Sequence, residues 1–264
     1  MKKKLFVFIF ICLCFFEIFS ENSIKTTNSQ SFAELSYAID FMSEIKFENG
    51  KMIISHSEVE SKNFISDYNV EQNSKVTFIN LEETGEKILV LKNEDLIFLY
   101  KDNNEKPWIY ATNLGRASEG IYFPSPQSFS ASSELKEGKV TYSVGNLGIF
   151  MLNKPWVEGI LGNGEGEYIE LEANISSFYL FNGYISYTKP HLYEENSRVK
   201  KIQISFLDNP KLSDLTVELE DTPNPQKVSL DVMYNGKIRI EILEVYPGTK
   251  YEDTCITNIL CNVF

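Results

Sequence analysis

Apolar residues recur along this chain in short runs broken by polar clusters, and over most of its length they alternate rather than step by three and four. The exception comes just after residue 30. Phe32, Leu35, Ile39 and Met42 follow the helical period, and Ser31 with Glu34 has the S-x-x-E pattern in which each side chain satisfies an orphan backbone donor. This predicts one short helix over about residues 31–45. Asn49-Gly50 is a turn signal. After it come β-type runs at Met52 to Ser55, Val76 to Leu81, Ile88 to Leu91, Leu96 to Tyr100 and Trp108 to Thr112. Glu83-Thr84-Gly85, Asn93-Glu94-Asp95 and Asp102-Asn103-Asn104 separate the later runs at hairpin spacing, which predicts a small antiparallel meander within residues 31–117. Trp108 and Tyr110 alternate with Ile109, and Trp108 is read as a packing residue.

Gly115 to Ser133 carries the glycine, proline and serine of a domain entry, so a boundary is expected near residue 118. Beyond it the alternation is clear. Val199, Ile202, Ile204 and Phe206 line one strand, with a slip after Val199; Leu215, Val217 and Leu219 line another; Ile238, Ile240 and Ile242 line a third. Polar residues stand between them, as a half-buried strand requires. Short strands at this density predict a β-sandwich or jelly roll over residues 118–264. The fold class is therefore mainly β, a small meander with one helix followed by a sandwich.

The first residues read as an export signal. Lys2 to Lys4 precede twelve unbroken apolar residues, Leu5 to Phe16, and Ser20 offers a small residue for cleavage. A spanning helix needs about 20 apolar residues, so no membrane span is expected. Residues 1–20 are read as a signal peptide and 21–30 as a flexible leader. A lipid anchor at Cys12 or Cys14 is the alternative, disfavoured by bulky Ile11 and Leu13. The expected location is secreted, periplasmic or at the cell envelope.

Net charge is −12; residues 1–20 hold three lysines and one glutamate, so without them 22 basic stand against 36 acidic residues, or −14. Such a surface repels phosphate backbones, which excludes nucleic acid as a partner. Cys255 and Cys261 lie six residues apart, about 20 Å on an extended strand, too far for a disulfide. With only His56 and His191 beside them, no zinc-ligand spacing exists.

Candidate chemistry concentrates in three turns. In the first, Trp156 could stack on a sugar ring, and Glu158 could accept sugar hydroxyls or pair with Arg198 or Lys200. Gly159, Gly162, Gly164 and Gly166 follow; they lack a dinucleotide fingerprint and read as a tight turn between strands. In the second, Asn182-Gly183-Tyr184 could face one cleft with Tyr193, Asn196 and Arg198, whose guanidinium would suit an acidic sugar. In the third, Tyr246 and Tyr251 flank Pro247-Gly248, and Asp253 is read as a turn cap. No motif selects a carboxylate pair or a nucleophile with its base, so no enzyme is expected.

Eight fragments fall in one order: S-A-S-S-E-L (130–135), Y-S-V-G-N-L (142–147), P-W-V-E-G (155–159), G-N-G-E-G-E (162–167), N-G-Y (182–184), Y-E-E-N-S-R-V-K (193–200), L-E-D-T-P-N-P-Q (219–226) and V-Y-P-G-T-K-Y-E-D-T (245–254). Together they resemble the discoidin-like module known as the NADase-type glycan-binding domain, found in secreted and surface proteins of bacteria, over about residues 119–264. The resemblance implies a galactose-binding-like jelly roll with a glycan or glycoprotein as partner, a non-catalytic role, and end loops carrying the site. A protein-recognition module of the bacterial envelope is the alternative. Relatives often carry an Asp-Gly turn where a structural calcium can sit; here the stretch is G-I-F-M-L-N-K, without a carboxylate, so no cofactor or metal is expected. The carbohydrate reading requires the tryptophan, tyrosine and proline-tyrosine turns to gather at one solvent-open rim. Oligomeric state and the role of residues 31–117 are not legible.

Overall fold

A computed structural model describes residues 35–39, 42–58, 63–102, 104–114 and 120–263. The expected signal peptide, the leader, the Ser31–Glu34 capping pair and the boundary near residue 118 lie outside these residues.

The first part is a closed eight-stranded antiparallel barrel in simple up-and-down order. Its strands are β1 (Leu35–Ala38), β2 (Ser43–Glu48), β3 (Lys51–His56), β4 (Phe64–Asn73), β5 (Val76–Leu81), β6 (Lys87–Lys92), β7 (Leu96–Tyr100) and β8 (Pro107–Thr112). Ala38 pairs with Thr112, so β1 meets β8 and closes the cylinder. The meander expectation holds, but the helix over 31–45 does not: β1 and β2 occupy its place. The period in use there is two. Leu35 opposes Phe47 and Tyr37 opposes Ile45 across the ladder, and Tyr37, Ile45 and Phe47 are fully buried inside the barrel. A helix at this point would have left β8 and β3 with open edges. Trp108 is also corrected. It is 38% exposed, outside the barrel, with the Lys101 ammonium 4.3 Å from its ring, while neighbouring Ile109 packs inward.

Three barrel strands are buried on both faces. Ile79, Leu81, Ile88, Val90, Ile97 and Leu99 fill the interior. The alternate residues Val76, Phe78, Leu89, Leu91, Leu96, Phe98 and Tyr100 point out of the barrel and are equally buried.

The second part is a β-sandwich wound as a jelly roll. Its strands are β9 (Ile121–Tyr122), β10 (Phe129–Ala131), β11 (Lys136–Glu137), β12 (Val140–Thr141), β13 (Trp156–Val157), β14 (Tyr168–Asn182), β15 (Ser197–Phe206), β16 (Leu215–Glu218), β17 (Gln226–Tyr246) and β18 (Thr254–Asn262); one short helix, α1 (Leu192–Glu195), precedes β15. The long strand β14 pairs with β17 from Tyr168 to Leu180, with a register break between Ile175 and Ser177, and from Ser177 to Asn182 it also pairs with β18. Strand β15 joins β17 antiparallel and β18 in a short parallel pairing, so the sheet wraps round a single core. The slip read after Val199 is a real irregularity of register between Val199 and Ile202. Ile202, Ile204, Phe206, Ile238, Ile240 and Ile242 all face the core.

The outward apolar face of β5–β7 packs on the sandwich. Phe98 stacks between Tyr110 and Phe150 (both 4.6 Å) and meets Phe181 edge-on at 5.4 Å. Leu152, Tyr179, Ile185, Tyr193 and Leu260 complete this shared core. Polar ties surround it. The Tyr179 hydroxyl donates to Asp95 (2.8 Å), the Tyr187 hydroxyl to the Lys87 carbonyl (2.7 Å), and the Lys92 amide to Asn224 (3.1 Å).

Candidate ligand recess at the loop end

The polypeptide leaves one recess of about 230 Å³ where several sandwich loops meet. Leu135, Glu137, Tyr142 and Val157, from the segment before β14, form one wall; Tyr184, Lys189, Leu192 and Asn196, from the segment between β14 and β15, form a second; Tyr251 and Asp253, between β17 and β18, complete it. The Tyr142 and Tyr184 rings meet edge-on, with centroids 6.4 Å apart. The three anticipated turns do reach this point, through Val157, Tyr184 and Tyr251.

Local backbone chemistry explains the arrangement. Gly183 has φ +79° and a Cβ there would come within 2.7 Å of Tyr193 and Arg198, so only glycine lets Tyr184 turn toward the opening over these two side chains. Gly164, at φ +71°, leaves room for the Glu158 side chain; a Cβ would lie 2.5 Å from its Cγ.

Of the residues anticipated from sequence, Tyr184, Asn196 and Tyr251 line the recess, and the others do not. Trp156 is fully buried, and its indole N–H donates to the Ser133 carbonyl at 3.0 Å. Gly159 donates its amide to Ser133 Oγ at 2.8 Å and lies against the Glu134 carbonyl. Glu158 is fully buried and pairs with neither Arg198 nor Lys200. Its two oxygens accept the amides of Ile160 (2.9 Å) and Thr254 (3.2 Å), tying the glycine turn to β18. Burial raises its pKa, and those two amides oppose the rise. Asn182 is buried and grips Val199 at both its amide (2.9 Å) and its carbonyl (2.7 Å). The Tyr246 hydroxyl donates to the Leu219 carbonyl at 3.0 Å, away from the recess lining.

Arg198 is not available to an acidic sugar. Its Nε and Nη2 donate to the two oxygens of Asp221 (3.1 and 2.8 Å), and Nη1 donates to the carbonyls of Asn196 (2.8 Å) and Pro247 (3.1 Å). The Tyr193 hydroxyl and the Lys75 ammonium of the barrel also converge on Asp221, at 3.1 and 2.6 Å. Four of the five guanidinium N–H donors are thus engaged, and the paired edge that would grip a second carboxylate is already taken by Asp221.

Sequence reasoning missed Leu135, Glu137, Tyr142, Val157, Lys189, Leu192 and Asp253 as lining residues. Tyr142 opens one of the eight quoted fragments, so the signal was present without a role attached. Asp253 was read as a cap; its backbone carbonyl does accept the Ser197 amide at 2.9 Å, but its side chain faces the recess. Burial, then the nearby Glu137 charge, raises the Asp253 pKa; the same causes in the same order raise that of Tyr142. The recess is thus an aromatic-walled pocket of negative character. Among the described residues, no group of three or more His, Cys, Asp and Glu converges to hold a metal ion. Cys255 and Cys261 are both free and buried in β18. No helix among the described residues is long and apolar enough to cross a membrane.

Solved structures similar to this chain include the Streptococcus pyogenes NAD+-glycohydrolase translocation domain, 23% identical over 42% of this chain and 93% of that one, TM-score 0.30. The family 32 carbohydrate-binding module of Clostridium perfringens NanJ, in complex with galactose, is 14% identical over 53% of this chain and 98% of that one, TM-score 0.38. A third, CBM32-3 from a family 31 glycoside hydrolase of Clostridium perfringens, is 13% identical over 56% and 97%, TM-score 0.42. No curated protein matches the chain. The family model for the NAD glycohydrolase translocation F5/8 type C domain matches residues 122–262. The sandwich and its ordered loops thus make this chain a member of the NAD glycohydrolase translocation F5/8 type C domain family.

Proposed function

We propose that the chain is a secreted or envelope-associated, non-catalytic binding protein that takes one unit of a glycan into the recess. The observation that carries this reading is the meeting of Tyr142, Tyr184 and Tyr251, from three separate loops, around polar groups in a single opening. Ring faces suit the apolar face of a sugar, and carboxylate, amide and ammonium groups suit its hydroxyls. The volume falls below the about 300–1,000 Å³ of clefts for drug-sized ligands, which favours a monosaccharide-sized group. Glu137 and Asp253 oppose a single lysine, Lys189, and Arg198 is already paired, so the ligand is neutral or positively charged rather than acidic. The NanJ module holds galactose, which makes galactose a reasonable first probe.

The test is a glycan array followed by galactose titration of the full chain. Tyr184→Ala and Tyr251→Ala should each weaken binding at least about tenfold, equivalent to about 1.4 kcal/mol. An array without signal, or binding that ignores both substitutions, would overturn the proposal. Protein recognition is the second reading. It is favoured by Leu161, fully exposed, with Ile160 also exposed on the loop that follows Val157 and Val140 exposed on β12. A stoichiometric envelope partner lost on Leu161→Ser, and indifferent to sugar, would favour it.

A further inference from the structure

We propose that the barrel is the back of the recess, and that Glu105, absent from its lining, is the positioning residue that joins the two. The inference rests on reading the recess as a ligand site. Glu105 lies on the loop between β7 and β8, where a charged side chain ordinarily faces water. Instead it is 3% exposed and points into the sandwich. Its Oε1 accepts the hydroxyls of Ser186 (3.1 Å) and Thr188 (2.7 Å). Ser186 Oγ in turn accepts the amide of Lys189 (3.1 Å), a lining residue. The Glu105 carbonyl accepts the Leu152 amide (3.2 Å), and the carbonyl of the next residue, Asn153, accepts the Tyr184 hydroxyl (3.4 Å). One barrel residue therefore fixes both supports of the Tyr184–Lys189 wall.

Two features show that packing alone does not explain this residue. Its backbone is in the left-handed region, φ 55°, an uncommon and mildly costly conformation for a non-glycine residue. Its second oxygen, Oε2, is buried and receives no hydrogen bond from the protein. The apolar contact between barrel and sandwich would be served at least as well by an uncharged residue. What only an acceptor can do here is hold two hydroxyls and, through them, the turn.

Amide hydrogen exchange of the full chain tests this without a ligand. Glu105→Ala should speed exchange of residues 184–196 by about tenfold while β2–β4, on the far side of the barrel, keep their protection. Glu105→Gln keeps an oxygen acceptor and should stay within about threefold of the parent. No change in the segment with Glu105→Ala, or an equal rise throughout the barrel, overturns the proposal. If Glu105→Ala does not fold, Thr188→Val removes one of the two donors and should give about a threefold local rise; no rise overturns it equally. Galactose titration of the same variants separates the two claims. Weakening with Ala and recovery with Gln supports both. A parent that ignores galactose, alongside the expected exchange pattern, removes galactose as the ligand and leaves the positioning role standing.

Discussion

The two walls of the recess are built on different terms. The wall carrying Tyr184, Lys189, Leu192 and Asn196 is backed by the barrel: Ile185 and Tyr193 sit in the shared core, and Tyr187, Ser186 and Thr188 bond to barrel residues. The wall carrying Glu137 and Tyr142 is a two-pair hairpin whose strand residues are all exposed; it is tied at its base, where the Leu135 amide donates to the Val157 carbonyl (2.9 Å), the Val157 amide to the Tyr142 carbonyl (3.4 Å), and Glu134 accepts Ser143 Oγ (2.9 Å) and the Val144 amide (2.7 Å). One wall is thus backed by a buried core, and the other ends in an exposed hairpin held only at its base. Preformed geometry lowers the ordering cost of binding, and an adaptable side tolerates variation in what is bound.

The comparison breaks most directly at the shared core. Phe98 touches Tyr110, Phe150 and Phe181 and is fully buried. Phe98→Ala should cost about 3–5 kcal/mol by loss of apolar burial and the cavity left behind. If barrel and sandwich support each other, thermal melting will show one transition moved down. A sandwich transition left at its parental temperature would show that the barrel does not back the recess.

Asp221 comes next. It is the junction of Arg198, Tyr193 and Lys75, joining the backed wall to the barrel. Asp221→Ala leaves the nearly buried Arg198 without its partner and should cost about 3 kcal/mol in urea unfolding. Burial would raise the Asp221 pKa, but the Arg198 and Lys75 hydrogen bonds and charges outweigh it and the net shift is downward from 3.8. A lowered carboxylate pKa gives stability that is present above the unfolded value and lost as pH falls through the folded one. The gap between parent and Asp221→Asn should therefore be constant at neutral pH and shrink below pH 3.8. A gap that persists in acid would exclude the ion pair as its source.

Much of this architecture was legible, for reasons that also mark where legibility ended. The strands of the sandwich core could be read because one face is wet: Ile238, Ile240 and Ile242 alternate with Arg239 and Glu241. The runs at Ile88 to Leu91 and Leu96 to Tyr100 could be read as strands, yet their unbroken apolar character also recorded burial on both faces, and hence the docked sandwich. Strand β4 escaped notice because Asp67, Asn69 and Glu71 leave little apolar signal around Tyr68 and Val70. The helix expectation failed because Leu35 and Ile39 fit periods of both two and four, and only barrel closure decides between them. At the site, residue type marked the right loops but not the direction of each side chain. Trp156 and Val157 are adjacent on a strand and point to opposite sides, so the loop was identified while the tryptophan itself faces inward.

The smallest effect tests the adaptable side. Asp253 shares the recess with Glu137, and burial followed by that charge holds its pKa above 3.8. A raised carboxylate pKa means that the folded state binds the proton more tightly than the unfolded state. Asp253 therefore opposes folding once pH exceeds the folded value, and the opposition fades as pH falls toward 3.8. Asp253→Asn should raise the melting temperature at pH 7 by no more than about 2 °C, since the group is partly solvated and screened. The advantage should close in acid. Added salt should shrink the part due to Glu137 while leaving the part due to burial. If the hairpin can swing Glu137 away, the salt-sensitive share will be the smaller of the two. A variant less stable than the parent at pH 7 would mean that Asp253 holds the loops together, and that the second wall is anchored as firmly as the first.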